Sequence, residues 1–134
     1  MIYSLDSNII SHLLKDNPVV YDSFDQAMIN GSRCTIPPVV YYEVKRGLLF
    51  SKATTKANDF DRMCRELGVG EMNALAWDEA ARLYAFHRRE GTLIEDADLF
   101  TAAFCHVHCY TLVTDNIQHF ERVKGLQIIN WVER

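Results

Sequence analysis

Asp6 directly follows the short apolar run Ile2 to Leu5, where open α/β sheets commonly place a functional group beyond a strand's carboxyl end. Glu43 shares a helical stripe with Val40 and Gly47, with Val44 and Leu48 close by, so an acid interrupts an apolar face. Asp98 stands in line with Thr101, Ala102 and Cys105 and points along a packed face in the same way. Thr114-Asp115-Asn116 adds an acid and an amide after a later β-branched run. An ionised carboxylate is costly to bury unless something pairs with it or coordinates it. Several carboxylates at the ends of separate elements repel one another unless protonated or bridged by a cation. An all-oxygen set of this kind suits magnesium or manganese rather than zinc.

Each residue also has a plainer account. Asp6 or Ser7 can cap a helix by accepting from its free N–H groups, and for Asp6 alone the two accounts weigh equally. A lysine or arginine can partner Glu43. Glu95 and Asp96 suit the first turn of a helix because its amino end is electropositive. Asp115 and Asn116 are favoured turn residues.

The elements that must position these groups alternate. A strand over residues 2–5 runs into a helix from about Asn8 to Lys15, closed by Asp16-Asn17-Pro18. Val20, Phe24, Ala27 and Met28 recur at helical spacing toward Asn30-Gly31. Cys34 to Ile36 reads as a brief strand, and Pro37-Pro38 suits the start of a helix through Val40, Val44 and Leu48. Further helices are expected over Ala53–Leu67, Asp78–Glu90 and Asp96–His108, with strands over Met72–Trp77, Tyr110–Thr114 and Gln127–Trp131. Such alternation predicts one α/β domain over residues 1–134, a sandwich with a mostly parallel sheet covered on both faces.

With 49% apolar and 24% charged residues, the 134-residue chain reads as an ordinary globular protein able to bury one core, not a disordered one. The opening MIYSLDSN lacks a basic region followed by a long apolar stretch, and no run is long enough to span a membrane, so a cytoplasmic protein is expected. In that compartment Cys34, Cys64, Cys105 and Cys109 are expected to be reduced and mostly buried. A net charge of −4 excludes a uniformly basic nucleic-acid binder but not a nuclease. Lys45, Arg46, Lys52, Lys56, Arg88 and Arg89 remain available to phosphates, although each alone also fits a solvated helix face.

Taken in order, LDSNII, EVKRG, DLFTAA and TLVTDNIQHFERVKGLQIINW resemble the VapC-type PIN domains. That family reads L-D-T-N, then E-x-x-x-G, then D-x-x-I-A-A, then T-x-N or T-x-D with a phenylalanine four residues on. The matching positions are Asp6, Glu43 with Gly47, Asp98 with Ala102 and Ala103, and Asn116 with Phe120. The resemblance spans the whole chain. It implies a three-layer α/β/α sandwich and a magnesium- or manganese-dependent endoribonuclease, the toxin of a VapBC-type toxin–antitoxin pair. Asp6 and Asp98 would be the principal metal ligands. Glu43 would bind a second ion or help deprotonate a coordinated water. Asn116 takes the fourth family position, where many relatives carry aspartate; neighbouring Asp115 supplies the charge. One tight ion with a second recruited by substrate is therefore expected. Ser7 replaces the usual threonine and keeps a hydroxyl able to orient a carboxylate, while Thr101 replaces a common isoleucine without an evident reason. Products with 5′-phosphate and 3′-hydroxyl ends, transfer RNA as substrate, a homodimer, and a VapB-like antitoxin whose tail occupies the acidic pocket or its adjoining groove are further implications.

Other constellations fit less well. Cys105, His106, His108 and Cys109 offer zinc-ligating types, but His106 points away from the helical face that Cys105 and Cys109 share. A haloacid-dehalogenase-type phosphatase needs a second aspartate two residues after Asp6, where Asn8 stands. A receiver-like phosphoacceptor needs a lysine after a late strand, and Tyr110 to Asn116 contains none. From another class, a PIN-fold module that binds RNA or protein without cleaving it is the main competitor.

Overall fold

The first apolar run forms β1 (Ile2–Leu5) and passes straight into α1 (Ser7–Leu14), with Asp6 as the N-cap between them. These coordinates are a computed structural model that describes residues 1–132; the last two residues of the expected 1–134 domain, Glu133 and Arg134, lie outside the described residues. Next comes α2 (Pro18–Ile29), begun by the Asn17 side chain, which accepts from Val19 N and Val20 N, and by Pro18 at its first position. β2 (Arg33–Thr35) leads through buried Pro37 into α3 (Pro38–Ser51), and Lys52 closes that helix in the left-handed region at φ 55°. α4 (Thr54–Leu67), α5 (Ala74–Arg89), α6 (Asp96–His108), β3 (Thr111–Val113), α7 (Ile117–Phe120) and β4 (Ile128–Ile129) complete the described chain.

The strands form one sheet in the order β2-β1-β3-β4, every adjacent pair parallel. Leu5 pairs with Val113, so the residues that follow, Asp6 and Thr114, emerge side by side at the carboxyl ends of the two central strands. Side chains alternate faces along a strand. Val113 accordingly joins Leu5, Ile9, Ile10, Val20, Val40 and Phe60 in one core, while Leu112 joins Ala102, Phe104, Cys105 and Phe120 in another. Helices α1 to α4 cover the first face and α6 and α7 the second, giving the expected three layers. Among the described residues no helix is long and apolar enough to cross a membrane.

Two predicted strands need correction. Met72–Trp77 is not a strand: the Asn73 side chain accepts from Ala76 N at 2.9 Å and starts α5 at Ala74, so side-chain capping and good helix formers outweigh the apolar pattern. Extended backbone occurs slightly earlier, where Val69 bridges Ile36 in parallel. Gly70 follows because a Cβ there would run into the buried Phe104 ring. Gln127–Trp131 shrinks to the two residues of β4, since Asn130 accepts from Val132 N at 2.8 Å and turns the chain. Trp131 instead packs edge-on against Tyr3, with ring centroids 5.3 Å apart. All four thiols are free; Cys34 and Cys105 are buried, Cys64 half-buried and Cys109 exposed.

Candidate active site

Asp6 is held from several directions. Its backbone N–H continues the sheet by donating to Val113 O at 3.0 Å. Its side chain turns into the helix start, where Oδ1 accepts from Ser7 N at 2.9 Å. Oδ2 accepts from Thr114 Oγ1 at 2.7 Å and from Asn8 Nδ2 at 3.2 Å. Asp6 therefore caps α1 through one carboxylate oxygen while Thr114 and Asn8 hold the other, so capping leaves room for a second role. With only 5% of its surface exposed, burial raises its carboxyl pKa, the Thr114 and Ser7 bonds pull it back, and the charge of Asp98 pushes it up again.

Glu43 and Asp98 arrive on α3 and α6, which pack on one another, while α3 also packs on α1. Burial raises the pKa of half-buried Glu43, reinforced by the charges of Asp6, Asp98 and Glu95, while Arg46 one turn away opposes it. Among the described residues no group donates a hydrogen bond to the Glu43 carboxylate. Burial also raises Asp98, against which His119 acts through its charge and a 3.2 Å contact between its Nδ1 and Asp98 Oδ2. The three acids are thus close enough to perturb one another. Among the described residues, however, no three His, Cys, Asp or Glu side chains converge tightly enough to form a ready-made metal cage.

The auxiliary residues separate. Ser7 bonds Asp6 through its backbone N–H, and its side chain lines a groove together with Glu43 and Asn116. Asn116 is exposed and donates its backbone N–H to Thr114 Oγ1 at 3.0 Å. Asp115 donates its N–H to Asn8 Oδ1 at 2.9 Å, but its carboxylate accepts from Asn130 at 3.3 Å, toward the far strand rather than the three acids. Asp96 is exposed in the first turn of α6. In the alternative cluster, Cys105 is buried with its thiol pushed up to about 12, and His106 is turned toward Glu79 at 2.5 Å.

Sequence reasoning missed the clip that Asn8 and Thr114 form around Asp6, and it missed His119. Asn8 and Thr114 were visible only as a helix start and a turn; a separation of 106 residues hides their 3.4 Å contact. His119 lies in a one-turn helix 21 residues from Asp98, and no local pattern signals their meeting.

Comparison with known proteins agrees with this architecture. The PIN domain family model matches residues 3–126. Ribonuclease VapC1 of Methanocaldococcus jannaschii is 30% identical over 88% of this chain and 87% of its own. Ribonuclease VapC2 of Rickettsia felis is 26% identical over 98% of both chains. A crystal structure of VapBC2 from Rickettsia felis bound to a DNA fragment from its promoter superposes with a TM-score of 0.90 at 26% identity, covering 98% of this chain and 99% of the other. A parallel sheet with acids gathered at its carboxyl edge, a matching family model across most of the length and near-full-length relatives lead to one assignment: the chain belongs to the PIN-domain family, in its VapC ribonuclease branch.

Proposed function

We propose that this protein is a divalent-metal-dependent endoribonuclease, the toxin of a VapBC-type toxin–antitoxin pair, and that Asp6, Glu43 and Asp98 form its reactive centre. The observation that carries this reading is the convergence of three carboxyl groups, from the start of α1 and from the mutually packed α3 and α6, near enough that Asp98 acts on Asp6 and both act on Glu43. The donor set fits magnesium or manganese, since every candidate ligand atom is a carboxylate oxygen. Three of the four lone-pair positions of Asp6 are occupied by hydrogen bonds, which leaves one on Oδ1 for a cation. Held by Asp6, Asp98 and Glu43, a hard divalent ion would supply charge neutralisation for the phosphoryl group.

The residues do the rest. Asp6, fixed by three donors, and Asp98, steadied by His119, orient the reacting centre without rearranging during the reaction. Glu43, free of hydrogen bonds and with a raised pKa, suits the role of proton acceptor from the attacking water at a carboxylate oxygen. Hydrolysis leaves the phosphate on the 5′ end and the hydroxyl on the 3′ end. Asn116 contributes an amide at the rim, with Asp115, Asp96 and Ser7 as outer contributors. A VapB-like antitoxin belongs to the same reading, supported by the VapBC assembly of the Rickettsia relative, and a homodimeric state and a cytoplasmic setting are proposed with it.

The test is incubation of purified protein with total cellular RNA and manganese, beside Asp6→Asn and Asp98→Asn. Cleavage by wild type and its loss in both variants is the expected result. Equal cleavage by all three marks a contaminant, and RNA binding without cleavage by wild type marks a non-catalytic PIN module.

A further inference from the structure

Beside Glu43 a groove of 470 Å³ opens between α1, α3 and the start of α4, with Asn116 and the neighbours of Asp6, Ser7 and Asn8, in its wall. We propose that this groove is the subsite for the nucleotide adjoining the scissile phosphate, with Lys15 and Lys56 holding the RNA phosphates. The inference rests on the nuclease reading and deepens it.

The groove is built from two chemistries. Its floor is Leu14, Val44 and Leu48, each half-buried because one flank packs on the sheet-side core. Such a surface can make van der Waals contact with a base or sugar without selecting a hydrogen-bonding edge. The Ser11 hydroxyl, which can donate and accept, adds the polar contact that a sugar or base edge requires.

Its cations are available. Lys15 and Lys56 are exposed, and neither forms an ion pair among the described residues. Nearby Lys45, by contrast, is tied to Asp61 at 2.7 Å. Lys56 also occupies the first turn of α4, which has no acidic residue. The electropositive end of a helix disfavours a cation, so the position costs stability rather than adding to it. A phosphate lying in the groove would satisfy Lys56 and the helix end together. Two cations beside a carboxylate cluster also show how a chain of net charge −4 can engage RNA: positive charge flanks the cut site locally.

The deciding experiment measures binding of a short fluorescent single-stranded RNA to wild type and Lys15→Gln/Lys56→Gln in chelator across a salt series. Each phosphate contact on a single strand contributes about 0.7 to the slope of log affinity against log salt, so the double variant should lose about 1.4 from that slope. Arg82→Gln, which removes a cation already paired with Asp78, should leave the slope unchanged. In manganese the double variant should raise KM for cleavage about tenfold with kcat retained. A wild-type slope in the double variant overturns the proposal. Failure of wild type to cleave counts against the nuclease reading alone, because the salt slope is read without catalysis.

Discussion

Thr114→Val tests the clip that holds Asp6. Valine keeps the shape of the fully buried side chain but removes the hydroxyl that donates to Asp6 Oδ2 at 2.7 Å and accepts from Asn116 N at 3.0 Å. A hydrogen bond to an ionised acceptor contributes about 1.5–3 kcal/mol. Asn116 is exposed and can return its N–H to water, so the loss centres on the carboxylate and comes to about 2 kcal/mol. For a chain of this length that lowers Tm by about 7 °C. The pH dependence has a definite sign. Burial raises the Asp6 pKa and the Thr114 bond lowers it, so removing the bond moves the folded-state pKa still further up. The stability gap between wild type and variant is then full at neutral pH and closes as the pH falls through the two folded-state values. With Asp6 acting in the reaction as proposed, the acid limb of RNA cleavage should shift to higher pH, and Thr114→Ser should restore both properties. Thermal melts between neutral and acidic pH, with a pH–rate profile, provide the measurement. A variant that melts with wild type at neutral pH and keeps its acid limb would refute the clip.

Other expectations follow from the same geometry. In chelator, Asp98→Asn should melt at or above the wild-type temperature, because a charge that raises the Asp6 and Glu43 pKa values is gone; added manganese should then raise the Tm of wild type more than that of the variant, and a large loss in chelator would mark Asp98 as structural. Wild-type stability in chelator should fall as the pH rises from the ordinary carboxylate range through the raised values of Asp6, Glu43 and Asp98, since there the folded state binds more protons than the unfolded one. His119→Ala removes the group that lowers Asp98, so the acid limb of cleavage should move to higher pH while the melting temperature stays nearly constant; an unmoved limb would separate His119 from the reaction. Gly70→Ala forces the buried Phe104 ring aside and should cost about 1–3 kcal/mol in denaturant melts, with kcat retained below the transition.

Much of this arrangement was legible because it is local. An apolar run ending in Asp6-Ser7-Asn8 specifies a strand and a helix start together, and both appear where the pattern puts them. The acids at Glu43 and Asp98 were visible as charges on faces otherwise apolar, although both are half-buried rather than enclosed, and Gly47 on the Glu43 stripe is exposed. What the sequence hid is set by sheet register. Thr114 becomes a partner of Asp6 only because Leu5 pairs with Val113. His119 meets Asp98 only because a short helix follows β3. The Met72–Trp77 error has the opposite origin: a local rule, the asparagine cap, was present at Asn73 and was outweighed by an apolar count.

The pairing of Asp6 with Thr114 also constrains the order in which the polypeptide can assemble this edge of the sheet. The two residues are 108 positions apart, and Thr114 follows β3, the third of the four strands in chain order. Ribosomes add about 5–20 residues per second, and long-range strand pairing is slow to form. A nascent chain that has not yet presented Thr111 to Val113 has no central strand beside β1, hence no hydroxyl to fix the first acid and no cleft edge against which the others can gather. A chain that stops before residue 111 should therefore lack the fixed Asp6 and fail to cleave RNA, whereas the same truncated chain supplied with the missing segment should recover cleavage only if that segment pairs with β1.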